Sequence, residues 1–565
     1  MKVVIVGGVA GGMSAATRLR RLDENAEIVV MEKGEHVSFA NCGLPYYIGG
    51  VIGERSALLP RSPEGFKERF ALDVRVRQEV LAIDRTARTV TVRNHRSGVD
   101  YVEQWDHLVL SMGAEAVVPS VPGVERAHVL RDVADADAVV RAAEYARTAV
   151  VIGAGFIGLE MAENLHTKGL SVALVEQAGQ VLPPLDPEMA QPVAAHLRAH
   201  GVAVRLGARV GRIGPDTVVL GDGSAVPADL VVMAAGVRPR SDLARAAGLA
   251  LGPGGGIVVD ASLRTSDPRI HAVGDVAEKV DAVSGNPVLI PLAGPANRQG
   301  RLAADSIMGS PVRDTAGHGT AVVGVLGLTA AVTGWSEKRL RTAGRAYRVV
   351  HIHPPAHASY YPGAAPLSLK LLIDAGTDRV LGAQAVGTEG AARRIDVLAT
   401  AMAGELSASD LLGLDLAYAP QYGSAKDPVN MLGYVADNLA SATTATVQWH
   451  ELDAVRAAGA AILDVRTPDE FAAGAIPGAI NVPLDQLRQS MTGLPPGRLI
   501  VYCHAGQRGH TATRLLSAGG RDVANLDGGF LTWQAGVGSA PEAMSQPISG
   551  AAPGCAHARP VCRTG

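Results

Sequence analysis

The sequence predicts an α/β protein of several domains, and three observations predict it. Two units of strand, glycine turn, helix and strand lie about 145 residues apart, each ending on a glutamate. Far downstream, the apolar strand Leu499-Ile500-Val501-Tyr502 runs straight into a glycine-containing loop that opens on Cys503. The chain of 565 residues is also too long for one hydrophobic core, which implies three or four domains.

The first unit begins with Val3-Val4-Ile5-Val6 and turns through Gly7-Gly8-Val9-Ala10-Gly11-Gly12. A helix is expected from Met13 to Arg21, then the strand Ile28-Val29-Val30-Met31 ending at Glu32. The second unit repeats this order: Ala149-Val150-Val151-Ile152, the turn Gly153-Ala154-Gly155-Phe156-Ile157-Gly158, a helix through Lys168, and Ser171 to Val175 ending at Glu176. Glycines let the backbone approach a pyrophosphate, which a helix N-terminus attracts through its free N–H groups and dipole. An acid roughly 20 residues on accepts hydrogen bonds from a ribose diol. Glycine turns also serve as plain tight connections, but two copies in full βαβ context predict two Rossmann-like dinucleotide-binding domains. Val9 replaces the middle glycine of the first turn, so only the second matches the whole pattern.

Composition excludes several classes of function. Lysine and arginine (52) nearly balance aspartate and glutamate (55), so no strong field favours nucleic acid or an anionic membrane. Four cysteines, two in the extreme tail, cannot staple a chain of this size, and Met1-Lys2-Val3 enters a strand rather than a signal sequence. The apolar stretch from Thr320 to Thr333 is too short to span a bilayer. A cytoplasmic protein is expected, with neither nucleic acid nor membrane as partner.

Cys42 has no second cysteine within the first 500 residues. A lone thiol is oxidised to a sulfenic acid, a persulfide or a mixed disulfide, so its partner sulfur comes from outside the chain. The step Cys42-Gly43-Leu44-Pro45 is expected to open a helix whose N–H groups would stabilise a thiolate; the bland alternative is an inert buried cysteine. Arg18 and Arg21, at i and i+3, share a helix face that suits phosphates or simply solvent.

The segment from Thr265 through Ile270-His271-Ala272-Val273-Gly274-Asp275 resembles the two-dinucleotide flavoprotein disulfide reductases. That resemblance implies that this strand returns to the first nucleotide domain, with Gly274 and Asp275 at the flavin. It also implies that Asp106 to Gly113 forms the matching connection, where Ser111-Met112 departs from the usual Ala-Thr. The expected layout is an FAD domain (1–113 and 245–320), an NAD(P)H domain (114–244), an α+β dimerisation domain (321–440), a linker (441–448), an α/β rhodanese domain (449–538) and a flexible tail (539–565).

Ser38-Phe39-Ala40-Asn41-Cys42-Gly43-Leu44-Pro45-Tyr46-Tyr47 closely resembles the active-site segment of the coenzyme A disulfide reductases, within a single-cysteine branch shared with NADH peroxidases and water-forming NADH oxidases. FAD, NADH or NADPH, and coenzyme A are the small molecules implied. Ala293 joins the cofactor-binding residues, while Ser14, Arg18, Arg21, Ser38, Asn41, Asn297 and Lys426 are carried over as coenzyme A contacts. Tyr361 and Tyr418 match tyrosines that reach the site from the other subunit, so a homodimer with shared active sites is expected. Ala10 stands where the peroxide- and oxygen-handling relatives have a histidine, which favours a thiol or persulfide substrate.

Asp464-Val465-Arg466 through Phe471, the Cys503 to Arg508 loop, Leu526-Asp527-Gly528-Gly529 and Trp533 together resemble a rhodanese. Four residues separate Cys503 from Arg508, as in sulfur-transferring members, and the loop's N–H groups would cradle a persulfide or a thiosulfate sulfonate. Cys555, His557 and Cys562 fall short of a closed zinc site, so no metal is expected. The function implied is FAD-dependent NAD(P)H reduction of coenzyme A disulfide, coenzyme A persulfide or polysulfide through Cys42, with Cys503 handling sulfane sulfur. The alternatives are an NADH oxidase or peroxidase, and a flavin redox sensor with a rhodanese binding module.

Overall fold

Apolar β-branched runs pair in parallel in both glycine-turn units. The protein is described from a computed structural model over residues 1–538; positions 539–565, with Cys555, His557 and Cys562, lie outside the described residues. In the first sheet the order is Ile270–Ala272, His107–Leu110, Lys2–Val6, Glu27–Glu32, Asp73–Val76, all parallel. Val3, Val4 and Ile5 are fully buried, as a strand covered on both faces requires. The second sheet is parallel too, in the order Ala203–Arg205, Ser171–Val175, Thr148–Ile152, Leu230–Met233. Each unit carries a three-stranded antiparallel appendage, and Ala114–Ala116 pairs with Val237–Pro239 between the two units.

Residues 321–387 form a five-stranded antiparallel sheet, on which the helix Ala391–Ala403 packs, with Pro428–Ala440 beside it. The apolar run after Thr320 is its first hairpin, Ala321–Val325 and Leu328–Gly334. A last sheet, parallel throughout, runs Thr446–Val447, Val523–Leu526, Leu499–Tyr502, Ala461–Asp464, Ile480–Asn481.

One local expectation needs correction and a second is refined. The linker expected at 441–448 is shorter, because Thr446–Val447 pairs with Asn525 and Leu526 and buries Val447. The helix expected to open at Cys42-Gly43-Leu44-Pro45 is present but short: a 3-10 turn, Asn41–Gly43, holds Cys42, and the helix Leu44–Ile48 that follows has 5 residues. No described helix is long and apolar enough to cross a membrane.

Candidate functional site

The two glycine turns are wired alike. Gly8 N donates to Glu32 Oε2 at 2.7 Å and Gly34 N to Glu32 Oε1 at 2.7 Å. In the second unit Ala154 N and Ala178 N each donate to Glu176 at 2.8 Å. The acid at the end of the second strand is thus held beside the turn, where a ribose would meet it. The helices Ala10–Leu22 and Phe156–Thr167 begin without a side-chain cap, leaving their first N–H groups for a ligand. A Cβ at Gly12 would lie 2.0 Å from Gly7 O, and one at Gly158 1.9 Å from Gly153 O, so strand and helix touch backbone to backbone there. At Gly155, by contrast, added bulk would meet nothing within 4 Å, which leaves the cradle open.

Around the first turn the chain assembles residues distant in sequence. Ser111 Oγ donates to Gly7 O at 2.8 Å, just before Gly113. The helix Ala293–Ile307 packs along Ala10–Leu22, and Ser14 Oγ donates to Asn297 Oδ1 at 2.6 Å. Gly274 N donates to Gln299 Oε1 at 3.0 Å, placing Gly274 and Asp275 by the same helix. Arg131, which sequence reasoning missed, lies 4.0 Å from Asp275, and its buried Nε has no hydrogen-bond partner. An orphaned guanidinium nitrogen beside uncapped helix ends and open glycines is what a pyrophosphate would satisfy. The residues present therefore fit a dinucleotide at each turn.

Cys42 lies between the units. Ser38 N donates to Gly8 O at 2.8 Å, which ties the cysteine segment to the first turn. The residue opens to solvent, yet the protein packed around it, with Glu160 and Asp275, raises the thiol above its ordinary value. The expected stabilisation of a thiolate is therefore not supplied by this chain's own groups: a single-turn helix offers little field, and two carboxylates oppose ionisation. Glu160, on the helix after the second turn, is itself pushed up to about 7 by burial and by Glu163, against a hydrogen bond from Tyr46. It can hold a proton near neutral pH beside the thiol.

The other residues carried over from the resemblance fall in two groups. Arg18 donates to Asp305 at 2.7 Å, and Arg21, Asn41 and Lys426 are exposed. Tyr361 and Tyr418 gather elsewhere, on the face of the antiparallel sheet's domain: Tyr360 and Tyr418 share a hydroxyl hydrogen bond of 2.8 Å, and the Tyr361 ring packs edge-on to His357. Arg394, buried, holds Asp427 at 3.0 Å and so fixes the segment that presents Lys426. Tyr360, Tyr361, Tyr418 and Tyr422 are all exposed on this chain.

In the C-terminal unit Cys503 is buried, and Gly506 N points at its Sγ from 3.2 Å. A Cβ at Gly529 would lie 2.4 Å from Cys503 O, so the Gly528-Gly529 turn forms the floor of the loop. Just before it, Asp527 is gripped from the antiparallel sheet: His351 donates to it through its backbone N at 3.0 Å and pairs through Nδ1 at 2.8 Å. His351 Nε2 reaches Glu188 at 3.1 Å, and Lys370 Nζ contacts Asp186 (2.9 Å), Glu188 (2.5 Å) and Glu337 (2.7 Å). This fully buried ionic cluster joins three of the sheets' domains. The ammonium fills the space among the three carboxylates.

Two dinucleotide cradles opening toward one thiol define a nucleotide-dependent redox enzyme, here joined to a second cysteine loop. Residues 1–300 match the family described as pyridine nucleotide-disulphide oxidoreductase, residues 320–428 its dimerisation domain, and residues 448–536 the rhodanese-like domain. The chain belongs to the pyridine nucleotide-disulphide oxidoreductase family. It is 35% identical over 440 residues to a coenzyme A disulfide reductase of Staphylococcus aureus, covering 77% of this chain and 99% of that one. Among solved structures it is similar to reduced Bacillus anthracis CoADR-RHD, with a TM-score of 0.93 and 46% identity over 95% of this chain and 98% of that one. It is also similar to a NAD-dependent persulfide reductase from A. fulgidus, with a TM-score of 0.89 and 38% identity over 94% and 100% of the two chains.

Proposed function

We propose that this enzyme uses NADH or NADPH to reduce coenzyme A disulfide, coenzyme A persulfide or polysulfide through Cys42, and that its C-terminal unit handles sulfane sulfur at Cys503. The observation that carries this reading is the placement of Cys42 between two nucleotide cradles with no second cysteine beside it. FAD, when bound, would supply the means of passing two electrons from the nicotinamide nucleotide to sulfur. Gly7, Gly8, Gly11, Gly12, Glu32, Gly113, Arg131, Gly274, Asp275 and Ala293 would hold FAD, and Gly153, Gly155, Gly158 and Glu176 the nicotinamide nucleotide. The Cys42 thiolate attacks one sulfur of the substrate disulfide; that S–S bond breaks, one thiol leaves, and a mixed disulfide forms. Two electrons and a proton release the second thiol, so one NAD(P)H and one proton yield two thiols.

The exposed tyrosines and the matched dimerisation domain support a homodimer in which Tyr361, Tyr418 and Lys426 complete the partner's site. Ser14, Arg18, Arg21, Ser38, Asn41 and Asn297 would receive coenzyme A. The protein is proposed to work in the cytoplasm. Replacing Cys42 by serine tests the whole reading: NADH-dependent reduction of coenzyme A disulfide and persulfide should fall to background while FAD stays bound, because the cradles are untouched. Near-normal disulfide turnover in that variant would refute the single-thiol mechanism.

A further inference from the structure

The loop around Cys503 is short of free positive charge, although two arginines stand beside it. Arg508 closes the loop, next to the Cys503 sulfur. Each of its terminal nitrogens gives an N–H to Glu470, Nη1 to Oε2 at 2.8 Å and Nη2 to Oε1 at 2.6 Å, so a carboxylate offsets the guanidinium charge beside the sulfur. This is not a loose surface pair, because Glu470 is fixed from its other side. Thr467 N donates to Glu470 Oε2 at 3.0 Å, and Glu470 N donates to Thr467 Oγ1 at 3.3 Å, closing a capping box on the helix Pro468–Ala472. The second arginine, Arg466, is bound to Asp464 at 2.6 Å and lies over the Phe530 ring, 4.4 Å from its centroid. Gly506 N points at the sulfur, and the Arg508 side chain also reaches it.

The chemistry of possible donors separates on this point. In either case the Cys503 thiolate attacks the sulfane sulfur, the donor's S–S bond breaks, and a new one forms to give the Cys503 persulfide. Thiosulfate brings two negative charges and expels sulfite as a dianion, which a free arginine would stabilise. A persulfide brings at most one charge at the reacting end, and its carrier leaves as a thiol with the persulfide's proton. We propose that Glu470 selects the sulfur donor: its carboxylate, paired with Arg508, offsets the positive charge a dianion needs, so the loop takes sulfur from persulfides in preference to thiosulfate. Glu470 acts through Arg508 and is a positioning residue. The inference rests on the proposed sulfane-handling role of the C-terminal unit and deepens it.

The test compares thiosulfate with glutathione persulfide as donors to the full-length enzyme. Cyanide is the acceptor, which leaves as thiocyanate and restores the thiolate, and Cys503→Ser serves as the blank. Removing one unit charge close to a dianion at a half-exposed site is worth about tenfold or more. Glu470→Gln should therefore raise kcat/KM for thiosulfate by about tenfold, mainly through a lower KM, and change that for glutathione persulfide by less than about threefold. Glu470→Asp, which keeps the charge, should keep the wild-type donor order. A parallel loss for both donors in Glu470→Gln, as a merely loosened loop would give, overturns the proposal, and so does an unchanged thiosulfate KM. If mass spectrometry finds no persulfide on wild-type Cys503 with either donor, the sulfane-handling role itself fails and takes this inference with it.

Discussion

Replacing His351 by glutamine should uncouple the C-terminal unit from the reductase core, and should do so in a way that depends on pH. Both ring nitrogens of His351 face carboxylates, Asp527 at 2.8 Å and Glu188 at 3.1 Å, so the ring makes both bonds only as an imidazolium. Burial works against that charge, but the two carboxylates outweigh it and push the pKa from 6.5 up to about 9. Lys370 opposes it from the neighbouring strand. Asp186 and Glu337 surround Lys370, His450 lies 3.8 Å from Glu337, and the neutral Gln448 amide donates to Asp527.

A pKa raised in the folded state means that the stabilisation is complete below about 6.5 and disappears as pH rises through about 9. Its size is about 3 kcal/mol, which corresponds to roughly a hundredfold change in the docking equilibrium. Limited proteolysis within 441–445, with a control peptide correcting for protease activity at each pH, measures how often the unit releases. Wild type should resist cleavage up to about pH 6.5 and then lose protection progressively, by about a hundredfold in all between pH 6 and 10. His351→Gln should be cleaved readily already at pH 6 and show little change across that range. Parallel pH curves for the two proteins would refute the clasp.

Three further outcomes are expected. Gly158→Ala should abolish NADH-dependent flavin reduction while FAD stays bound, since its Cβ would lie 1.9 Å from Gly153 O in the second cradle only; stopped-flow absorbance reads this directly. NADH should be preferred to NADPH, because Glu176 is held at the ribose position and would repel a 2′-phosphate, and comparable kcat/KM for the two would contradict that. Turnover with oxygen should be minor beside turnover with coenzyme A disulfide, since Ala10 offers no proton donor in the first turn; an oxygen electrode settles the ratio.

Much of the nucleotide-binding architecture was legible because its signals are local. A β-branched run, a glycine turn and an acid at fixed spacing specify both cradles, and the structure wires Glu32 and Glu176 to their turns in the same way. Cys42 was legible as a lone thiol, but its electrostatics were not: Glu160 reaches it from the second nucleotide domain and Asp275 from a part of its own domain distant in sequence. Arg131 and Glu470 escaped for the same reason, since their partners are set by the fold and not by spacing. His351 and Lys370 did leave a trace, as polar interruptions in the apolar strands Tyr347–Ile352 and Leu367–Asp374. Without the partners Glu188 and Asp527, 163 and 176 residues from His351, that trace has no meaning. The linker was overestimated because Thr446 and Val447 look like coil in an alanine- and threonine-rich stretch, while the pairing that orders them lies about 80 residues on.

That shorter joint changes how the two thiols can be thought to cooperate. A flexible linker would make the encounter of Cys503 with Cys42 a matter of effective concentration, set by tether length. Here the joint is only residues 441–445, and within it Thr444 Oγ1 already bonds His510 at 3.1 Å. Just past the joint, Asp527, whose N donates to Val447 O at 3.0 Å, is locked to His351, one residue before the Gly528-Gly529 floor of the Cys503 loop. His353, just past the end of that strand, adds a 2.7 Å bond to Thr532. The loop is therefore held in register with the antiparallel sheet, and from that same sheet's domain the tyrosine cluster projects. Sulfur exchange between the two sites is then governed by fixed geometry and by whichever carrier spans it. Breaking the ionic cluster should disturb that exchange more than lengthening the joint.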